Sequence, residues 1–241
     1  MFLKAVTPTR EHPIAFDENR LLDYEVELCA KPIHPVNLKS VKHAQFAFFL
    51  CGDFTDRAAL MRNVDPSNLQ SGKGFSKAKS LPGYFPTGPY LVIPKNQEMF
   101  LNHVSLSLTY NGQQMQIAST KDLIWRLPKI LSHLLSLTES NQPTYSEIKT
   151  WLPSRGLDNE ISFLTGTPDG VLMRPPNLWY KVKMAIWYFV SFHFLTNDDS
   201  IRQYVLENYL AKQFENKHYL QSGDNIVLSA RWLGLIHVHI Q

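Results

Sequence analysis

Three acidic side chains alternate with apolar ones along the stretch 23–28. If this stretch is a β-strand, successive side chains point to opposite faces, so Asp23, Glu25 and Glu27 share one face. Carboxylates in a row along one face repel each other unless that face is solvated or holds a cation. Two interpretations therefore remain open. Glu25 and Glu27 bind a hard divalent ion, or the strand is amphipathic and its acidic face lies in water.

A second acidic residue stands at the end of an apolar run. Residues 44–52 are almost continuously apolar, which is typical of a strand buried on both faces. Asp53 follows directly, at the mouth of this predicted strand. Because an unpaired carboxylate in an apolar setting is costly, Asp53 needs a partner, and Arg57 and a metal ion are the two candidates.

Other elements frame these acids. Apolar and polar residues alternate over 103–110, and Asn111-Gly112 supplies a two-residue hairpin turn. A helix is expected to begin near 119 and to run towards 137, bent or restarted at Pro128. Residues 159–165 resemble another buried strand.

The composition is that of an ordinary globular protein. The 241 residues are 44% hydrophobic and 19% charged, with a net charge of +3. Nucleic acid is not expected as a partner, because the sequence has no long basic run. Cys29 and Cys51 lack CxxC spacing and are predicted to be buried free thiols in a reducing compartment.

No targeting or membrane-spanning segment is expected. The N-terminus lacks the charged-then-apolar pattern of a signal peptide, so a cytoplasmic location is the default. The longest apolar run, 178–195, contains Lys181, Lys183 and His193, whose charges would each cost a few kcal/mol in a bilayer. We therefore predict a buried helix and no membrane partner. The whole segment 172–220 is expected to be a helical, aromatic-rich insertion.

Five motifs, in order, resemble the fumarylacetoacetate hydrolase family. They are Glu25-Val-Glu27-Leu, Asp53-Phe-Thr-Asp-Arg57, Lys79-Ser-Leu with Phe85-Pro-Thr-Gly88-Pro89, Asn111-Gly112-Gln-Gln-Met-Gln116, and Leu164-Thr-Gly-Thr167-Pro168-Asp-Gly170-Val. Any one of them is weak evidence, but all five keep the family's order and spacing. The resemblance implies one catalytic domain over 1–241 of the α+β class, mainly β. It would be folded as a mixed β-sandwich roll with the helical insertion and assembled as a homodimer.

The resemblance also implies a set of site residues. Glu25, Glu27 and Asp53 would hold a divalent ion, Mg²⁺ or else Mn²⁺ or Ca²⁺. Lys79 and Arg57 would bind the substrate carboxylate and stabilise developing negative charge. Two further substrate contacts are expected from Gly166 and Thr167. Arg57 could instead form a structural salt bridge to Asp53 or Asp56, and Thr167 could only stabilise its turn.

The implied substrate is a 2-oxo or β-diketo acid, a small carboxylic acid whose enolate the metal would stabilise. Hydrolytic cleavage of a C–C bond is the leading prediction. However, the family's water-activating His-x-x-Glu pair is absent from this sequence, and Glu11-His12 is a candidate substitute. A decarboxylase, a hydratase or an enol–keto isomerase is therefore an alternative, as is a catalytically weakened protein that binds a ligand or partner.

Overall fold

The computed structural model describes residues 4–10, 13–122, 127–139 and 157–241, which form three β-sheets and several helices. The strands are β1 (Pro13–Ile14), β2 (Leu22–Asp23), β3 (Val26–Pro32), β4 (Phe46–Gly52), β5 (Thr55–Asp56), β6 (Ser105–Tyr110), β7 (Gln113–Ser119), β8 (Phe163–Leu164), β9 (Asn225–Ala230) and β10 (Gly234–Ile240). The α-helices are α1 (Arg57–Asn63), α2 (Phe75–Lys79), α3 (Gln97–His103), α4 (Leu127–Glu139), α5 (Leu178–Val190), α6 (His193–Thr196) and α7 (Ile201–Asn216).

Two of the sheets enclose the core. The larger has the order β1-β10-β9-β6-β7, and the smaller has the order β4-β3-β8. Leu28 and Leu50 from the smaller sheet and Leu108 and Leu228 from the larger are fully buried in one cluster. The burial of all seven residues of β4 agrees with the strand predicted from its apolar run. The predicted α+β sandwich is confirmed.

The predicted hairpin is also confirmed. Strands β6 and β7 pair in antiparallel fashion, and Asn111 and Gly112 between them have φ values of 48° and 82°. Both values lie in the left-handed region that a tight two-residue turn requires. Strand β6 begins at Ser105 and not at residue 103, where the alternation of polar and apolar residues starts. The reason is that His103 is the last residue of helix α3.

Two boundaries differ from the prediction. Strand β7 continues to Ser119, where the helix is expected to begin, and helix α4 is described from Leu127 onwards, with Pro128 as its second described residue. The acidic strand is divided in two. Leu22 pairs with Asp56 in the two-stranded sheet β2-β5, whereas pairing with β4 begins at Val26. Glu25 lies at the break between these two pairings.

The cysteines form a disulfide, so the prediction of free thiols is wrong. Cys29 lies on β3 and Cys51 on β4, with their Cα atoms 5.9 Å apart and both side chains fully buried. In the antiparallel register Cys29 lies opposite Phe49 and Cys51 lies opposite Glu27, so the two cysteines are diagonal neighbours. This register depends on the pairing of two separate strands, which the spacing of the cysteines in the sequence does not encode.

The segment between β8 and β9 is helical. Helices α5 and α7 contact each other through ring pairs, with centroid distances of 5.7 Å for Tyr180–Tyr209 and 5.4 Å for Tyr188–Tyr204. A salt bridge of 2.8 Å from Arg62 of α1 to Glu207 fixes α7 to the rest of the chain. None of the helices in the described ranges is both long enough and apolar enough to cross a membrane.

Candidate active site and metal centre

The structure brings the three predicted metal ligands together. Glu25 lies between β2 and β3, Glu27 lies on β3, and Asp53 directly follows β4. The pairing of β3 with β4 makes the first and last of these neighbours, since the Asp53 amide donates to the Glu25 carbonyl at 2.9 Å. One carboxylate oxygen from each residue lies within 4.8 Å of the others, and all three side chains are buried.

Two lysine ammonium groups neutralise this cluster. Lys79, the last residue of α2, donates from Nζ to Glu25 Oε2 at 2.7 Å and also to Asp53 Oδ2. Lys4 donates from Nζ to Asp53 Oδ1 and, at 2.8 Å, to the carbonyl of Tyr84. The site therefore contains predicted Lys79 and also Lys4, which we had not singled out. The sequence signal for Lys4 is the stretch Phe2-Leu3-Lys4, which resembles a stretch found in the fumarylacetoacetate hydrolase family.

Arg57 contacts two of the acids on the β2–β3 stretch. Its Nε donates to Asp23 Oδ2 at 2.8 Å, and its Nη2 donates to Glu25 Oε1 at 2.7 Å. The alternative that paired Arg57 with Asp53 or Asp56 is wrong, because Asp56 instead accepts from the Ala59 amide and caps α1. Arg57 thus positions Glu25, whose other oxygen is bound by Lys79.

The acidic face does not lie in water, which excludes the amphipathic-strand interpretation. Asp23 is fully buried, and its Oδ1 accepts from the amides of Tyr24 at 2.8 Å and Leu172 at 2.9 Å. Its Oδ2 accepts from the amide of Met173 at 3.0 Å as well as from Arg57. With four donors, Asp23 connects the start of the helical segment to β2 and is not available as a metal ligand.

The turn after β8 contacts the third ligand. The Gly166 amide donates to Glu27 Oε2 at 2.7 Å, so this predicted substrate-binding amide orients a carboxylate. Thr167 lies beside it, and its Oγ1 accepts from Gln116 Nε2 at 3.0 Å. Gln116 also donates to the Pro168 carbonyl at 2.8 Å, and its Oε1 accepts from the Val26 amide at 3.0 Å.

Gln116 is a structural member of the site that the sequence analysis did not single out. It is buried on β7 and connects the larger sheet to β3 and to the turn 165–170. The one indication in the sequence that Gln116 belongs to the site was its position at the end of the Asn111–Gln116 motif. The alternation of polar and apolar residues along β7 gives no indication that this glutamine faces inward.

The burial of the cluster sets its protonation. Desolvation, with the negative charges of Asp53 and Glu25, raises the pKa of Glu27 to about 8. Burial also opposes the charge of Asp53, but Lys79 and Lys4 outweigh it and lower the pKa of Asp53. Desolvation lowers the pKa of Lys4, although the Asp53 carboxylate partly compensates. Near neutral pH, Glu27 is therefore mainly protonated.

The donor set fits a hard divalent cation. Glu25, Glu27 and Asp53 offer only oxygen atoms, which Mg²⁺, Mn²⁺ and Ca²⁺ prefer, and no histidine or cysteine joins the described cluster to favour zinc. The ammonium of Lys79 between Glu25 and Asp53 shows that a positive charge is stable at this position. These three carboxylates are thus the residues that would hold such an ion.

Comparison with known proteins gives one family match. The family model described as fumarylacetoacetate (FAA) hydrolase C-terminal matches residues 4–241. A curated relative, the mitochondrial oxaloacetate tautomerase oaa1 of Schizosaccharomyces pombe, is 30% identical over 137 residues, which are 57% of this chain and 51% of the relative. The chain thus spans about half the length of this relative.

Solved structures share the fold. A probable 2-hydroxyhepta-2,4-diene-1,7-dioate isomerase from Mycobacterium abscessus superposes with a TM-score of 0.60 and 17% identity, covering 99% of this chain and 67% of that one. A fumarylpyruvate hydrolase from Pseudomonas aeruginosa, in complex with Mn²⁺ and pyruvate, gives 0.58 and 19%, covering 98% and 75%. At these identities the likeness extends to the architecture alone.

Proposed function

Because the chain belongs to the fumarylacetoacetate hydrolase family, we propose that it is a divalent-metal-dependent enzyme that acts on a 2-oxo or β-diketo acid. The observation that carries this proposal is the buried triad of Glu25, Glu27 and Asp53, which offers three carboxylate oxygens within 4.8 Å of one another. Such a set binds hard cations that keep positions open for a chelating substrate. Mg²⁺ is the first candidate, followed by Mn²⁺ and Ca²⁺.

The chemistry follows from the charges around the triad. A divalent ion held there would polarise the substrate carbonyl and stabilise the enolate formed from it. The ammonium groups of Lys79 and Lys4 lie at the same carboxylates and can donate hydrogen bonds to a substrate carboxylate. Thr167 and Gly166, at the rim of the cluster, are the further substrate contacts that we propose.

Enol–keto proton transfer is the reaction that these residues support best. It needs a group that can exchange a proton, and Lys4, whose pKa burial lowers, lies at Asp53 within the cluster. It does not need an activated water. The 30% identical relative is named as an oxaloacetate tautomerase, which agrees with this choice.

Hydrolytic C–C cleavage is the second candidate, and the description of the matching family favours it. Its requirement is a base for the attacking water. The substitute that the sequence offers, Glu11-His12, lies outside the described residues. Decarboxylation and hydration need the same enolate stabilisation, and decarboxylation is detected by the same assay. A protein that binds the metal but converts no 2-oxo acid would be the weakened, ligand-binding member.

The test compares two substrates, oxaloacetate and an acylpyruvate, with the same metal-loaded protein. Oxaloacetate that loses enol absorbance without releasing pyruvate indicates a tautomerase, whereas pyruvate from an acylpyruvate indicates a hydrolase and pyruvate from oxaloacetate a decarboxylase. Chelation of the metal should abolish any of these activities. Absence of turnover on both substrates, in a protein that binds Mn²⁺, would contradict the enzymatic proposal.

Matched variants then assign the residues. Glu27→Gln should weaken Mn²⁺ binding more than tenfold by removing a ligand charge, and Lys79→Ala should mainly raise the KM for the substrate. Lys77→Ala is the control for the second change, because Lys77 precedes Lys79 on the same helix but is exposed. If Lys4→Met leaves the rate and its pH profile unchanged, Lys4 does not transfer the proton.

A further inference from the structure

One face of helix α5 is apolar and exposed. At 100° per residue, six of its seven exposed large apolar side chains fall within an arc of about 120°, and the seventh, Trp187, lies about 60° beyond that arc. We name this surface the outer face of α5, and its members are Leu178, Trp179, Val182, Ile186, Phe189 and Val190. Their exposed fractions range from 42% for Val182 to 77% for Trp179.

The outer face is separate from the face that packs on the protein. Tyr188 is 6% exposed and stacks against Tyr204 of α7, while Tyr180 contacts Tyr209. Helix α5 is therefore apolar on two sides, and only one of these sides is covered. The second apolar side of such a helix is normally covered as well, either by a protein core or by lipid.

The exposed apolar surface continues past the end of α5. Phe192 and Leu195, at the corner between α5 and α6, are 62% and 70% exposed. Together with the outer face of α5 they form one exposed apolar surface. On a monomer, exposed apolar residues are normally scattered singly. A surface of this size and composition indicates an interaction site.

The charges on helix α5 itself have one sign, whereas two aspartates, Asp198 and Asp199, follow helix α6. Residues 170–197 contain Arg174, Lys181 and Lys183 but no aspartate or glutamate. All three basic side chains are exposed. Aromatic and aliphatic side chains on one face of a helix, with lysines beside them, are the composition of helices that lie in a membrane interface. The basic residues are complementary to anionic headgroups.

We propose that the outer face of α5 docks the protein on the surface of an anionic phospholipid bilayer. The helix has 13 residues and is about 20 Å long, so it is too short to cross the hydrocarbon core of about 30 Å. It would lie parallel to the surface, with Trp179 and Ile186 among the acyl chains and Lys181 and Lys183 at the headgroups. This proposal replaces the expectation of no membrane partner, which had rested on the cost of the lysines inside a bilayer.

The same charges oppose the alternative of a second copy of the chain. Two copies packed through this face about a twofold axis would bring their α5 lysines close together. Helix α5 itself has no acidic residue that could pair with them. Like charges at such an interface lower its stability, whereas an anionic lipid surface neutralises the same lysines.

The test is flotation of the purified full-length protein with phospholipid vesicles. Binding is expected with vesicles that contain phosphatidylglycerol and should be at least tenfold weaker with phosphatidylcholine alone. Trp179→Ser with Ile186→Ser should reduce binding at least tenfold by removing buried apolar area. Lys181→Glu with Lys183→Glu should remove the preference for anionic lipid.

Matched controls use exposed residues away from this surface. Leu69→Ser with Ile117→Ser removes two equally exposed apolar side chains, and Lys212→Glu reverses a charge on α7. Both controls should bind vesicles like the unchanged protein. Failure of the unchanged protein to float with anionic vesicles would overturn the proposal. So would conversion of a dimer to a monomer by the Trp179 and Ile186 changes without any vesicle binding, which would assign the surface to a second copy.

Discussion

At the scale of single residues, the buried charges around Asp53 explain how each substitution there should behave. With a proton on Glu27, three carboxylates face three cations, so the cluster is neutral as a whole. Its charged members are Asp23, Glu25, Asp53, Lys4, Arg57 and Lys79. Removing one charge leaves an opposite charge buried without compensation, which costs more than the original pair contributed.

Asp53→Asn should destabilise the metal-free protein by about 3 kcal/mol. Asp53 accepts from both Lys4 and Lys79, so its loss leaves two buried ammonium groups with less negative charge. From the sequence alone the same change would be expected to relieve repulsion between carboxylates. Urea denaturation at pH 6 measures the difference, and Glu27→Gln is the control that should change stability little at that pH. Equal stability of Asp53→Asn and the unchanged protein would contradict the pairing.

The pKa of Glu27 predicts a pH dependence for the metal-free protein. Its pKa is about 8 in the folded chain, compared with 4.5 ordinarily, so between these values the folded state holds a proton that the unfolded state has lost. The free energy of unfolding should therefore fall as the pH rises from about 5 to 8, by an amount on the order of a few kcal/mol. Denaturation series in the presence of a chelator measure this slope. In Glu27→Gln the slope should be absent, and an unchanged slope would refute the assignment.

At the scale of elements, the turn 165–170 and the strand pair β3–β4 hold the site. The turn 165–170 packs against β7 so closely that a Cβ on Gly170, at φ 106°, would lie 2.0 Å from the Met115 carbonyl oxygen. Gly166, at φ 100°, has open space around it. Alanine substitutions at these two glycines therefore distinguish the effect of a steric clash from the effect of a left-handed backbone alone.

Gly170→Ala should destabilise the protein by more than 2 kcal/mol and weaken Mn²⁺ binding, because the turn must move away from Gln116 and carry the Gly166 amide from Glu27. Gly166→Ala should cost about 1 kcal/mol, the penalty of a left-handed backbone. Thermal denaturation and Mn²⁺ titration of both variants make the comparison. Similar losses in the two variants would mean that the close approach at Gly170 does not matter.

The disulfide joins the two strands that carry the metal ligands. Cys29 and Cys51 are 22 residues apart in sequence, and a loop of that length loses about 3 kcal/mol of stabilisation when its disulfide is removed. Cys29→Ala with Cys51→Ala should show this loss in urea denaturation under non-reducing conditions. A thiol titration of the denatured, unreduced protein should find no free cysteine, and two free thiols would restore the original prediction.

At the scale of the whole molecule, assembly stays a prediction. The family resemblance implies a homodimer, and light scattering on the eluting protein should give twice the mass of one chain. The outer face of α5 is not expected to form this contact, so Trp179→Ser with Ile186→Ser should leave the measured mass unchanged. A monomer would remove the prediction of a dimer without affecting the metal site, all of whose ligands come from one chain.

The sequence by itself determined the parts that depend on local pattern. The apolar run of β4, the Asn111-Gly112 turn and the acids Glu25, Glu27 and Asp53 were all predicted correctly as elements or as a cluster. Each follows from alternation, turn chemistry or motifs of a few residues, and such preferences act over short distances along the chain.

Only the tertiary structure decided which groups meet. It brought Lys4 to Asp53 across 49 positions and placed Gln116 against Val26 across 90. It also set the register that joins Cys29 to Cys51 and buried the acidic face that could have been in water. The physical reason is that strand register and the burial of charge are settled by contacts between segments distant in sequence, whose combined free energy no local pattern contains.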